Sequence, residues 1–122
     1  MNEIQIKLSG LWVATMLIYL LGDVLRLYSG DAKPGEIAGQ VVSKNMYLII
    51  AVLMLIPILM VLFSLFLDYP ANRWSNIIVA AFFIVFNLVS LSGYSLYDKF
   101  LLVVSMIFNG VTIWLAWNWS GA

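Results

Sequence analysis

Apolar residues run along this chain in four long blocks, at about 8–28, 45–67, 73–93 and 96–118, each broken by a short polar cluster. An apolar block of about 18–25 residues crosses the roughly 30 Å hydrocarbon core as a helix. In lipid each block has to be helical, because an open strand leaves backbone groups unpaired. The pattern predicts an all-α protein: an integral membrane four-helix bundle, antiparallel and up-down, in one domain covering 1–122.

The breaks carry local signals. In "DYPANRW", Pro70 stops the second span, and Asn72 is a suitable N-cap for the third. In "SGYSLYDK", Ser95 and Asp98 form an S-x-x-D pattern, a capping-box variant that opens the fourth span. Both connections are short, so spans two and three, and three and four, are expected to be antiparallel neighbours. The connection at about 29–44 is longer and polar. Residues 34–42 read equally as a solvated loop or as a short interfacial helix with Pro34 in its first turn. Pro57 lies inside the second span, where it frees the Leu53 carbonyl and predicts a kink. A cleaved signal peptide is not expected: Glu3 and Lys7 make a poor n-region, and the first apolar run is too long.

Within the spans the polar residues fall on stripes. Asn76, Ala80, Phe83, Asn87, Ser90 and Tyr94 recur at steps of four and three in the third span. Asp98, Leu102, Ser105, Asn109, Thr112 and Ala116 do so in the fourth, and Trp12, Thr15, Tyr19, Gly22 and Arg26 in the first. The second span offers Ser64. In lipid, small and polar groups mark the faces that meet other helices, since leucine gains nothing by leaving hydrocarbon. Antiparallel register about the Ser95 turn brings Asn87 to the level of Ser105 and sets Asn109 a turn deeper, near Phe83. Asn87, Ser105 and Asn109 are expected to bond across helices, either as packing glue or as the lining of a cavity.

Composition sharpens the picture by exclusion. The chain has 122 residues, 64% hydrophobic and 10% charged, with a formal net charge of zero. A soluble domain this short could not bury so much apolar side chain. The charge balance gives no case for nucleic acid as a partner. Cysteine and histidine are absent, which removes thiol and imidazole chemistry and the usual zinc, haem and iron–sulfur ligands. No catalytic set, metal site or cofactor is expected.

Charge and aromatics then assign the two ends. Both termini and the 68–72 turn share one side with Lys7 and Arg73; the other side holds Arg26, Lys33, Lys44 and Lys99. That excess favours the second side as cytoplasmic and puts the termini outside. All five tryptophans, Trp12, Trp74, Trp114, Trp117 and Trp119, lie toward the terminal side. Tyr19, Tyr28, Tyr47, Tyr94 and Tyr97 lie toward the other, so two interfacial belts are expected.

Asp23 and Arg26 are the candidate chemistry. Three residues apart, they share a helix face in the last turns of the first span. Arg26 is near enough to the surface to snorkel. Asp23 reaches less far and needs a partner, such as Arg26 or Lys99. The pair is either an ion pair that docks the helix end or a ligand or proton site, with Asp23, Arg26, Asn87, Tyr94, Ser105 and Asn109 as its candidate residues.

Leu11-Trp12, Tyr19, Asp23, Ile56-Pro57 with Met60 and Ser64, and the stretch "NRWSNII" from Asn72 resemble a family of small bacterial four-span membrane proteins of unknown function. The NRW-x-NI pattern is the most specific part. The resemblance implies a bacterial inner-membrane four-helix protein and no assigned activity. The architecture is also similar to DoxX-type four-helix proteins, some of them tied to quinone-linked redox chemistry. Three functions compete: a non-enzymatic protein acting by association in the bilayer, with a second copy or another membrane protein; a small proton-coupled transporter working as a dimer; and a quinone- or lipid-binding subunit of a redox enzyme.

Overall fold

A computed structural model describes residues 3–30, 33, 36–37, 40–41, 43–90 and 95–119. Its elements are α1 (Glu3–Ser29), β1 (Glu36–Ile37), β2 (Gln40–Val41), α2 (Lys44–Phe66), α3 (Ala71–Ser90) and α4 (Leu96–Trp117). Among the described residues, all four helices are long and apolar enough to cross a membrane.

Each helix end has a local cause. α1 starts before the apolar run, with Glu3 in its first turn and Lys7 paired to it at 3.1 Å one turn on. Acidic-then-basic spacing of this kind extends a helix into the polar layer. Gly30 ends α1 at φ 84°, in the left-handed region that a residue without Cβ adopts most readily. Ser43 caps α2, its hydroxyl accepting from the Met46 N–H at 3.3 Å. α2 continues through Pro57 without interruption. Ser95 sits at the N-cap of α4 with extended backbone, as the sequence predicts, but without the side-chain cap hydrogen bond that the S-x-x-D pattern implies.

Two expectations change here. The first is the 29–44 connection. Glu36–Ile37 pairs antiparallel with Gln40–Val41, so these four residues are extended and not helical. So short a segment makes a poor isolated helix, and cross-strand pairing satisfies some of its backbone groups instead. The second is Asn72. α3 begins at Ala71, so Asn72 lies inside the first turn and does not cap it. The backbone carbonyls of Asp68 and Pro70 close that turn. The Asn72 amide instead donates to the Ser64 and Leu67 carbonyls, at 2.8 and 3.0 Å, which the end of α2 leaves open.

α1 packs along both α2 and α4, and α3 packs along α4. α2 and α3 touch over a much shorter stretch, despite their short connection. A tight turn fixes where two helices start together, not how far they stay together. The interior is inverted relative to a soluble protein. Ser64, Asn72, Asn76, Asn87, Asp98, Ser105, Asn109 and Thr112 are buried, while leucines, isoleucines and valines line the outside. Apart from Asn72 and Ser64, these buried positions fall on the stripes legible in the sequence; the Ser90 side chain and Tyr94 lie outside the described residues. The apolar core is small: Trp12, Met60, Ala80 and Phe83 in one cluster, Leu8, Ala116 and Trp119 in another. Trp12 and Trp119 are thus interior residues and not belt residues, whereas Trp74, Trp114 and Trp117 are exposed.

Candidate functional site

The polar interior forms successive layers along the bundle, and their degree of closure differs. Nearest the terminal end, Trp12 Nε1 donates to Asn76 Oδ1 at 2.7 Å, and the Ser64 hydroxyl donates to the same oxygen at 3.2 Å. Asn76 Nδ2 donates to the Asn72 carbonyl and to Asn72 Oδ1, at 2.9 and 2.7 Å. Every hydrogen-bonding position of the Asn76 amide is used. Ser9 and Gln5 tie α1 to the Val61 and Leu67 carbonyls of the α2 end, at 2.9 and 3.1 Å. Arg73 turns toward α4, donating to the Ala116 and Trp117 carbonyls at 3.0 and 3.1 Å. Its guanidinium lies 4.9 and 5.2 Å from the Trp74 and Trp117 ring centres. The N-R-W-x-N stretch is therefore structural: it joins three helices and closes the free carbonyls at the end of a fourth.

Midway along, closure fails. Asn109 is fully buried, and neither its amide nitrogen nor its amide oxygen has a partner. The expected cross-helix bond is not made. Two neighbouring hydroxyls bond along their own helices: Thr112 donates to the Phe108 carbonyl and Thr15 to the Leu11 carbonyl. Asn87 and Ser105 do meet, as the register predicts. Asn87 Nδ2 donates to Ser105 Oγ at 3.2 Å and to the Tyr19 hydroxyl at 3.0 Å.

The last layer is charged. Arg26 lies between two carboxylates, donating to Asp98 Oδ1 at 3.1 Å through Nη1 and to Asp23 Oδ1 through Nη2. The Asp98 side chain is 3% exposed and that of Asp23 63%. The expected Asp23–Arg26 pair forms, but the two residues exchange places: Arg26 turns inward to Asp98 where snorkelling was expected, and Asp23 faces outward. A buried carboxylate has to be compensated, and the arginine is the group long enough to reach it. Gly22 makes room, since even its missing Cβ would lie 3.7 Å from both Arg26 Nη1 and Asp98 Oδ1. The Ser29 and Tyr97 hydroxyls, 2.8 Å apart, join the same two helices just beyond.

Between the charged layer and the Asn87 layer lies a cavity of about 110 Å³. Tyr19, Asp23, Arg26, Asn87 and Asp98 supply its polar lining, and Met54, Phe83, Phe86 and Leu101 are among its apolar walls. The volume is well above the roughly 10–15 Å³ that one water requires, and approaches the about 150 Å³ of a cavity that takes benzene. Of the sequence candidates, Asp23, Arg26 and Asn87 line it, and Ser105 supports it through Asn87. Asn109 is absent from its lining, and Tyr94 lies outside the described residues. Asp98 and Tyr19 also line the cavity; the sequence puts both on inward stripes but reads them as a cap and a belt residue and not as site candidates. That stripe placement was the signal available. Among the described residues, no group of acidic side chains is placed to hold a metal ion.

Over residues 2–122 the chain matches DUF6326, a family of unknown function, and it belongs to that family. No curated protein and no solved structure matches it.

Proposed function

For this member of the DUF6326 family, we propose a non-enzymatic role in the bilayer, exerted by binding a small amphipathic molecule in the cavity beneath Arg26. One observation carries the reading: the cavity joins a charged layer to an apolar, aromatic wall inside a membrane bundle. Pockets that hold small molecules combine apolar walls with a few convergent polar groups in this way. The Asn76 amide supports it by contrast, because its donors and acceptors are all taken up by Trp12, Ser64 and Asn72. The cavity lies at the end carrying Arg26, Lys33, Lys44 and Lys99, which the positive-inside tendency assigns to the cytoplasm.

Native mass spectrometry of protein released gently from membranes tests this, with Gly22→Leu as the variant that fills the cavity. The expected result is a copurifying small molecule on the natural chain and its loss from the variant. A bare natural chain, or a variant that keeps the adduct, overturns the reading.

A second feature favours association with another copy. Where α2 and α3 diverge, Met60, Phe63, Ile78 and Val79 line an open apolar groove of about 320 Å³. Shape, and not hydrophobicity, selects a partner in lipid, because every exposed helix face is already solvated by acyl chains. The chain has no cysteine, so a single cysteine at Phe63 or Ile78 reports contact between copies. Oxidative crosslinking in native membranes at these positions, and not at the remote Leu17, is the expected outcome; equal crosslinking at all three argues for random collision.

A further inference from the structure

Charge counting within the cavity points to the class of ligand. We infer that the cavity takes a hydrophobic ammonium ion; the inference rests on the binding role just proposed. The residues lining the cavity carry two carboxylates, Asp23 and Asp98, against one guanidinium, Arg26. Their formal sum is one negative charge: Asp98 is buried and paired with Arg26, and the excess rests on Asp23, which lines the cavity from its exposed side. A cationic guest completes the balance. An anion does not, because the guanidinium is already engaged by both carboxylates and the guest would have to displace them. A neutral guest leaves the imbalance in place.

The walls fit the same guest. Phe83 and Phe86 contribute aromatic rings 6.2 Å apart at an interplanar angle of 71°, and Tyr19 stands 6.2 Å from Phe83. Aromatic faces attract an alkylated ammonium, and the attraction grows when the cation is desolvated. The Tyr19 hydroxyl is held by Asn87 Nδ2, which donates to its oxygen and leaves its proton directed elsewhere. Met54 adds a polarizable wall that adapts to an alkyl tail. Asp23, largely exposed, marks where a cation arriving from outside the bundle first meets opposite charge.

The test compares three probes of similar size: benzyltrimethylammonium, benzyl alcohol and phenylacetate. Each is titrated calorimetrically into the full chain in nanodiscs of zwitterionic phosphatidylcholine, with empty discs as the blank. Benzyltrimethylammonium is expected to bind at least tenfold tighter than either of the others. Asp23→Asn, which leaves the Arg26–Asp98 pair intact and brings the lining to neutrality, is expected to abolish that preference. Gly22→Leu is expected to abolish binding altogether, and Asp98→Asn checks the charge argument where Gly22→Leu fails to fold. If benzyl alcohol or phenylacetate binds as tightly as the ammonium, the cation assignment falls and the binding cavity stands. If none of the three binds, both fall. Ammonium binding that survives Asp23→Asn with its preference intact also overturns the inference.

Discussion

Arg26 of α1 and Asp98 of α4, far apart in the chain, meet at 3.1 Å with the carboxylate almost wholly buried. This contact fixes the register of the two helices at one end, as Leu8 packed with Ala116 does at the other. Equal lengths of helix separate the two contacts, so Thr15 stands at the level of Asn109 between them.

Removing the arginine alone exposes the asymmetry of such a pair. Arg26→Met leaves a buried carboxylate uncompensated and is expected to cost about 3–5 kcal/mol. Arg26→Met combined with Asp98→Leu is expected to recover most of that loss. Asp23→Asn, on an exposed partner, is expected to cost about 1 kcal/mol or less. Unfolding in mixed micelles, followed by helical circular dichroism, gives all three values; a double variant no better than Arg26→Met alone contradicts the pairing.

Two of the buried asparagines, Asn76 and Asn109, are predicted to respond in opposite ways. Asn76→Ala breaks four hydrogen bonds, each contributing about 0.6–1.7 kcal/mol in a membrane bundle, and is expected to destabilise by about 2–4 kcal/mol. Asn109→Leu replaces an amide without partners by an apolar group of similar size. It is expected to be neutral or to stabilise by about 1–3 kcal/mol, the usual cost of an unsatisfied buried group. The same unfolding assay reads both, and a clearly destabilised Asn109→Leu would show that the amide has partners after all.

Two glycines separate in the same manner. A Cβ at Gly22 meets its neighbours at ordinary van der Waals distance, so Gly22→Ala is expected to stabilise α1 by up to about 1 kcal/mol. At Gly30 the positive φ makes alanine strained, by roughly 1–2 kcal/mol, and the last turn of α1 is expected to fray. Amide hydrogen exchange over residues 26–30 distinguishes them: slower or unchanged for Gly22→Ala, faster for Gly30→Ala.

Arg73→Lys tests the closure of α4. A lysine keeps the charge but not the planar fork that reaches two carbonyls and lies against two tryptophans. The expected loss is about 1–2 kcal/mol, with a shift in tryptophan emission as the Trp117 ring loses the guanidinium beside it. Unchanged emission and stability would remove Arg73 from the cap.

The spans, their helical state and their inward faces are all legible in the order of residues along the chain. Hydrocarbon accepts no unpaired backbone, so apolar length dictates helix, and polar residues in lipid have nowhere to point but inward. That is why spacing alone puts Asn76, Asn87, Ser105 and Gly22 on interior stripes. Which of those groups satisfy one another depends on how the helices meet. Asn72 caps α2 instead of α3, Asn109 finds no partner, and Arg26 turns from the headgroups to Asp98, because each choice depends on what the neighbouring helix presents at that level. Helical periodicity gives a residue's face but not its opposite number. The cavity belongs to this second kind of fact: it exists where Gly22, Asp98 and the aromatic wall leave a space that no single helix encodes.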